Sequence, residues 1–265
     1  MVKLSQQIVK KALEFGASAA GIANVEALKT SPSHLIFGKL DKYQGVGTIN
    51  NGRVKAGKVR WPENATSAIV IVVEHPETEP ELDWWKDGYA GGTAGNRVLI
   101  DISNNLSDWL KSNKGIETDK LPYHIENGGI FLKDAAVLAG LGCIGKNNML
   151  VTPEFGPRVR LRAILTDETL SETGVIDFDP CKDCPEPCRI ACPRDAFQKR
   201  IYLENEFSLD RLPARTGVYD RHLCNIQMEA DVKKSETSGV KNSDSDRWVW
   251  FCRICEFACP IGKAL

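Results

Sequence analysis

The chain has 265 residues, 42% of them hydrophobic, and a formal net charge of -1. That composition describes a globular protein with one large domain or two smaller ones, and its near-neutral charge gives no electrostatic case for general nucleic-acid binding. The opening segment, MVKLSQQIVKKALEF, threads lysines through its apolar residues, and no run approaches the ~18–20 apolar residues of a membrane span, so a cytoplasmic protein without a secretory or twin-arginine leader is expected.

Leu4, Ile8, Val9, Ala12 and Leu13 share one helical face over residues 4–15, with Gly16 as the stop. SAAGIA (18–23) reads as a short buried strand, and residues 30–62, rich in Gly, Pro and Lys, as loop or cover. TSAIVIVVEH (66–75) is β-branched and continuously apolar, which predicts a strand covered on both faces. After an irregular stretch at 76–94, Val98, Ile102, Leu106 and Trp109 mark a second amphipathic helix. LPYHIE (121–126) is read as a strand, FLKDAAVLAG (131–140) as a helix, and NMLVT (148–152) and RVRLRAILTD (158–167) as strands. The last of these alternates Val159, Leu161, Ala163 and Leu165 against Arg158, Arg160 and Arg162. Interleaved helices and strands favour an α/β (α+β) layer architecture up to about residue 175, which is taken as the boundary between domains 1–175 and 176–265. The polar stretch 232–246 reads as a mobile insertion in the second domain.

Of nine cysteines, eight lie between Cys181 and Cys259, and Cys143 stands apart. Clustering of this kind without an export signal points to metal binding before disulfides. The runs are CKDCPEPCRIACP, with Cys181, Cys184, Cys188 and Cys192, and CRICEFACP, with Cys252, Cys255 and Cys259. Both end in Cys-Pro, as bacterial two-cluster ferredoxins do, although the first has an extra residue in its middle gap beside Pro185 and Pro187. In that design the last cysteine of each run crosses to the other cluster. The ferredoxin resemblance thus implies one 4Fe–4S cluster on Cys181, Cys184, Cys188 and Cys259. A second falls on Cys192, Cys252 and Cys255, completed by Cys224. Structural zinc or a disulfide set are the competing readings.

GLGCIGKNN (140–148) fits the G-x-G-x-x-G spacing of dinucleotide sites, but the order of its neighbours is wrong. That fingerprint needs a strand before the glycines and a helix after them, and here the helix comes first. The loop instead resembles the AGLGxIGKN signature of epoxyqueuosine reductases and the related corrinoid-dependent reductive dehalogenases. The resemblance takes in GIA (21–23), the segment 139–167 and both cysteine runs. It implies a nitroreductase-like core that holds cobalamin, followed by a ferredoxin-like domain with two 4Fe–4S clusters that feed it electrons. Gly140, Gly142, Gly145, Lys146, Asn147 and Asn148 would then meet the corrinoid, with Cys143 where the family often has tryptophan. Arg160 would meet an anionic group of cofactor or substrate, and a salt-bridged face is the other reading for the three arginines. DRHLCN (220–225) falls one residue short of a D-x-H-x-x-G cobalt-ligand motif, so His222 is read as a cluster neighbour or surface residue.

Reductive cleavage needs a proton as well as two electrons. The resemblance places an acid at Glu126, thirteen residues before Ala139, where epoxyqueuosine reductases carry aspartate. His124 would share its face if 121–126 is a strand, and Tyr123 is the donor by analogy with the dehalogenases. The function implied is a cobalamin-dependent iron–sulfur reductase without the helical-repeat domain usual in the family. It would draw on a low-potential ferredoxin or flavodoxin and act on modified tRNA or a small molecule. A cytosolic dehalogenase-like enzyme and a non-catalytic electron-transfer protein are the alternatives.

Overall fold

The computed structural model describes residues 2–38, 59, 61–86, 88–123, 125, 128–207, 211–237 and 248–263. The chain opens with α1 (Val2–Glu14), β1 (Ala19–Asn24), α2 (Val25–Lys29) and α3 (Pro32–Gly38), followed by β2 (Ser67–Glu74). A 3-10 turn at Pro80–Asp83 leads into β3 (Trp84–Lys86), then α4 (Ala94–Lys114) and β4 (Asp119–Lys120). Next come α5 (Leu132–Leu138), β5 (Cys143–Ile144), β6 (Leu150–Val151) and β7 (Val159–Thr166). The cysteine-rich part contains α6 (Pro187–Ile190), α7 (Glu204–Phe207), α8 (Arg221–Thr237), β8 (Trp248–Trp250) and α9 (Ile254–Phe257).

Strand β2 is the spine of a four-stranded sheet in the order β1-β2-β7-β4. Every pairing in it is antiparallel, with Val70 opposite Gly21 on one side and Ala163 on the other. Its continuously apolar sequence has the cause expected of it: both faces are covered. Ala68, Val70 and Val72 pack with Leu161, Ala163 and Leu165 under α2 and α5, where Ala135, Ala136 and Ala139 form the contact face. Ile69, Ile71 and Val73 point the other way, onto Ile8 and Ala12 of α1 and Leu99, Ile102, Leu106 and Leu110 of α4. Side-chain alternation along one strand thus feeds two cores.

Four expectations need correction. The loop assigned to 30–62 contains α3, whose His34, Ile36 and Phe37 are buried, while 39–58 lie outside the described residues. The described residues of LPYHIE, Leu121, Pro122, Tyr123 and Ile125, are not in a strand. Pairing with β7 stops at Lys120, and Pro122, two residues on, has no N–H to give to a ladder. His124 and Glu126, expected to share a strand face, lie outside the described residues. Finally, α8 runs to Thr237, so the first six residues of the stretch 232–246 are helix, and 238–247 lie outside the described residues. The irregular segment 76–94 also hides β3, which pairs with β8 from the far end of the chain.

Helix α3 is tied to α5 by a buried polar chain. The Phe131 N–H donates to His34 Nε2 at 3.3 Å, which leaves Nδ1 protonated and donating to Ser31 Oγ at 2.9 Å. Ser31 Oγ in turn donates to Asp134 Oδ2 at 2.8 Å, and Ser33 adds a backbone and a hydroxyl donor to the same carboxylate. Burial lowers the His34 imidazole from its ordinary 6.5 to about 4, against the opposing pull of Asp134. Between those values the unfolded chain takes up a proton that the folded chain refuses. Stability is therefore full above about pH 6.5 and falls as pH drops towards 4, by on the order of 3 kcal/mol. Denaturant unfolding of wild type and His34→Gln across this range should show the wild-type slope flattened in the variant.

Candidate functional site

The two cysteine runs fold around each other. Burial pushes the Cys188 thiol up to about 11, and the proximity of Cys259, Cys181 and Cys184 adds to the rise. Those four thiols line one cavity, with Lys146 and Glu186 at its wall. Cys255 is raised by burial and then by Cys224, Cys252 and Cys192, and Cys252 also feels Cys224 and Cys192. The structure therefore brings together the two groups of four, each containing one cysteine from the other run plus, in the second group, Cys224. Among the described residues no three or more ligating side chains converge tightly enough for a single metal ion.

The chemistry of each set suits a polynuclear cationic centre. Four buried or half-buried thiols in one place are costly to ionise together, and a bound cation offsets their mutual repulsion. Polar hydrogens already point at some of the sulfurs: the Ala196 N–H lies 3.5 Å from Cys192 Sγ, and Arg221 Nη1 lies 3.9 Å from Cys224 Sγ. The residues present fit an iron–sulfur cluster in each set.

The glycine loop has a different explanation. Gly140, at φ +71°, closes α5: its N–H bonds to Val137 O and the Leu141 N–H to Ala136 O, the paired bonds of a Schellman stop. A Cβ on Gly140 would lie 2.1 Å from Gly174 O, and one on Gly142 2.2 Å from Val151 O. At Gly145 it would meet Asn147 Oδ1 and the Val151 side chain, both at 2.7 Å. The protein's own packing accounts for all three glycines without a bound ring. The polar residues of the loop reach towards the cysteine-rich half. Lys146 Nζ pairs with Glu186 at 2.8 Å, Asn147 Nδ2 donates to Cys255 O at 3.5 Å, and Asn148 Oδ1 accepts from the Ala214 N–H at 2.9 Å. Cys143 Sγ accepts from Arg215 Nη2 at 3.3 Å and its thiol is raised by burial. The loop is a seam between the halves, tied to the cysteine-rich half by Lys146, Asn147 and Asn148.

Strand β7 supplies the other seam. Arg158, 4% exposed, donates from Nη1 to Cys259 O at 3.2 Å and from Nη2 to Ile261 O. Arg160 is committed to two carboxylates, Asp83 at 2.9 Å and Glu256 at 3.1 Å. Burial lowers its guanidinium, but Glu256 and Asp83 outweigh that and hold it well above its ordinary value. Of the sequence expectations for Arg160, the salt-bridged face is the one seen. Arg162 Nη1 donates to Asn96 Oδ1 at 3.0 Å, and Tyr123 lies within electrostatic reach of both Arg160 and Arg162. Tyr123 is 37% exposed, and His222 is exposed at the start of α8. Sequence reasoning missed His75, Asp83, Arg253 and Glu256, which join Arg160 in one network. The signal available was the charged residue directly after each of Cys252 and Cys255.

No family model matches the chain. An epoxyqueuosine reductase of Atelocyanobacterium thalassa is 23% identical over 99% of this chain and 81% of its own length. The resemblance is to the epoxyqueuosine reductase and reductive dehalogenase superfamily. A tetrachloroethene reductive dehalogenase of Desulfitobacterium hafniense is 42% identical over 73% of this chain, but only 38% of its own length is covered. Among solved structures, an epoxyqueuosine reductase with an epoxyqueuosine-modified tRNA stem loop aligns with a TM-score of 0.60 at 21% identity, over 99% of this chain and 66% of that one. A catabolic reductive dehalogenase in complex with 3-bromo-4-hydroxybenzoic acid aligns with a TM-score of 0.63 at 16% identity, over 99% of this chain and 32% of that one. The structural likeness establishes a shared fold, and the relatives named are oxidoreductases. This chain spans about two thirds or less of those solved chains.

Gly140→Ala should destabilise the protein by about 2 kcal/mol or more, from the left-handed backbone and the clash with Gly174 O. Urea unfolding midpoints of the two proteins test this.

Proposed function

We propose that the chain is an iron–sulfur, corrinoid-dependent reductase of the epoxyqueuosine-reductase type, with two 4Fe–4S clusters on Cys181, Cys184, Cys188 and Cys259 and on Cys192, Cys224, Cys252 and Cys255. The observation that carries this reading is the exchange between the runs: Cys259 joins the first group and Cys192 the second. Two clusters sharing ligands from interleaved runs stand close together, which suits stepwise one-electron delivery. A corrinoid supplies a strongly reducing cobalt centre when bound. The chain's own residues hold the clusters, fix the cysteine-rich half to the sheet through Arg158 and Arg160, and supply the proton. Glu126, His124 and Tyr123 are the candidate donors, and removal of an epoxide oxygen is the reaction that the relatives covered most fully by this chain favour.

A second reading, reductive removal of a halide, is favoured by the 42% identity to the tetrachloroethene dehalogenase and by the placing of Tyr123 beside Arg160 and Arg162. In either case the reductant would be a low-potential ferredoxin or flavodoxin. The substrate is modified tRNA or a small organic molecule. Among the described residues no helix is long and apolar enough to cross a membrane, and the proposed location is the cytoplasm.

Anaerobically purified protein supplied with cobalamin should carry about eight irons and eight sulfides per chain and show a cobalt(II) signal by EPR. Zinc in place of iron would remove the proposal. Cys188→Ser and Cys255→Ser should each abolish the EPR signal of a different cluster. Glu126→Gln and Tyr123→Phe, assayed with epoxyqueuosine-containing tRNA and with aryl halides, should separate the donors. The true donor loses about 100-fold or more in turnover while cobalamin binding persists. A protein that keeps its clusters but binds no corrinoid would instead be an electron carrier.

A further inference from the structure

Two arginines and two carboxylates close a ring at the junction of the halves. Asp83 Oδ1 accepts from Arg160 Nε at 2.9 Å, and Asp83 Oδ2 faces Arg253 Nη1 at 2.7 Å. Glu256 completes the circuit, with Oε2 at 3.1 Å from Arg160 Nη2 and Oε1 at 2.5 Å from Arg253 Nη2. His75 braces it from the end of β2: its Nδ1 sits 2.9 Å from Asp83 Oδ2, and its backbone carbonyl accepts from Arg253 Nη2 at 2.7 Å. The Glu256 and Arg253 side chains are 3% and 8% exposed, so little water screens them. For Asp83, burial alone would raise the carboxyl, but the His75 hydrogen bond and the two guanidiniums hold it below the ordinary carboxylate range.

Stability alone gives a weak reason for such a ring, because well-packed apolar side chains of similar volume are often as stable as a buried ion network. Its position is more telling. Arg253 directly follows Cys252, and Glu256 directly follows Cys255. The other two members belong to the α/β half, Arg160 on β7 and Asp83 in the 3-10 turn. The ring therefore clamps the cysteine run to the sheet, with one cationic and one anionic member each bonded in sequence to a cysteine of the second set. Glu256 already acts on Cys255 across that short distance. In a poorly screened interior, an unbalanced charge there acts strongly on any centre whose charge changes.

We propose that Asp83, Arg160, Arg253 and Glu256 are positioning residues that set the reduction potential of the cluster of Cys192, Cys224, Cys252 and Cys255 through their balanced charge. This rests on the iron–sulfur reading of those four cysteines. An electron entering the cluster is disfavoured by a nearby negative charge and favoured by a positive one, so the two kinds of substitution have opposite signs. Glu256→Gln should raise the midpoint potential of this cluster, Arg160→Gln should lower it, and the double variant should return it towards the wild-type value. The cluster of Cys188 should shift less in every case.

The experiment is an EPR-monitored redox titration of the full holoprotein, with iron measured on each sample and the signals assigned by Cys188→Ser and Cys255→Ser. Opposite shifts, restored in the double variant, would establish the proposal, since a purely structural role has no reason to depend on the sign of the charge removed. Shifts of one sign, no shift in iron-replete variants, or loss of iron from Glu256→Gln would each overturn it. Wild-type protein without clusters would remove the underlying reading and this inference with it, whereas clusters present but indifferent to the substitutions would defeat the inference alone.

Discussion

Strand β7 carries two demands at once, and the rest of the molecule is arranged around their reconciliation. Its Val159, Leu161, Ala163 and Leu165 fill the core beneath α5, as an interior strand must. Arg160, and Arg158 just before the strand, point the other way at the same end and reach the segment that contains Cys252, Cys255 and Cys259. Period-two alternation makes this possible: one strand can be hydrophobic to one side and cationic to the other without breaking its pairing with β2. The second cysteine run is tied to the sheet by charge and by backbone carbonyls, whereas the sheet itself, and the contact of Tyr202, Phe207 and Leu212 with α3, are held by apolar burial.

Those two modes of cohesion have different consequences. Core residues such as Ile69, Ile71 and Leu106 are fully buried and tolerate little change of volume. At the junction, hydrogen-bond geometry matters more than volume: Arg158 bonds to main-chain oxygens of Cys259 and Ile261. Arg189 likewise donates to Lys146 O at 2.8 Å and Ala214 O at 2.9 Å. Guanidinium groups suit such work because one planar group satisfies several fixed acceptors. The cysteine runs contain few large apolar residues, so arginine takes over the role that leucine plays in the sheet.

Helix α5 and the loop after it link both systems. Asp134 anchors the helix to α3, Gly140 ends it, and Lys146, Asn147 and Asn148 then contact the cysteine-rich half. The same segment carries the motif by which the superfamily is read. A motif so placed records a structural requirement at least as directly as a chemical one, because every glycine in it has a neighbouring atom where a side chain would stand.

What the sequence determined by itself was whatever depends on periodicity and local chemistry. The apolar run of β2, most of the helical faces of α1 and α4, and the arginine–aliphatic alternation of β7 were legible because their environments impose periods of two or 3.6, although Leu13 and Val98, read onto those faces, are exposed. The two cysteine runs and their Cys-Pro endings were legible from spacing alone. Only the tertiary structure decided the rest. Leu121, Pro122 and Tyr123 stay out of the sheet because pairing with β7 ends at Lys120, and β3 exists only because Trp248–Trp250 comes back to pair with it. The ring of Asp83, Arg160, Arg253 and Glu256 joins residues up to 173 positions apart, from 83 to 256. No local pattern reports such a pairing, since a charged side chain looks the same in a sequence whether it faces water or a buried partner.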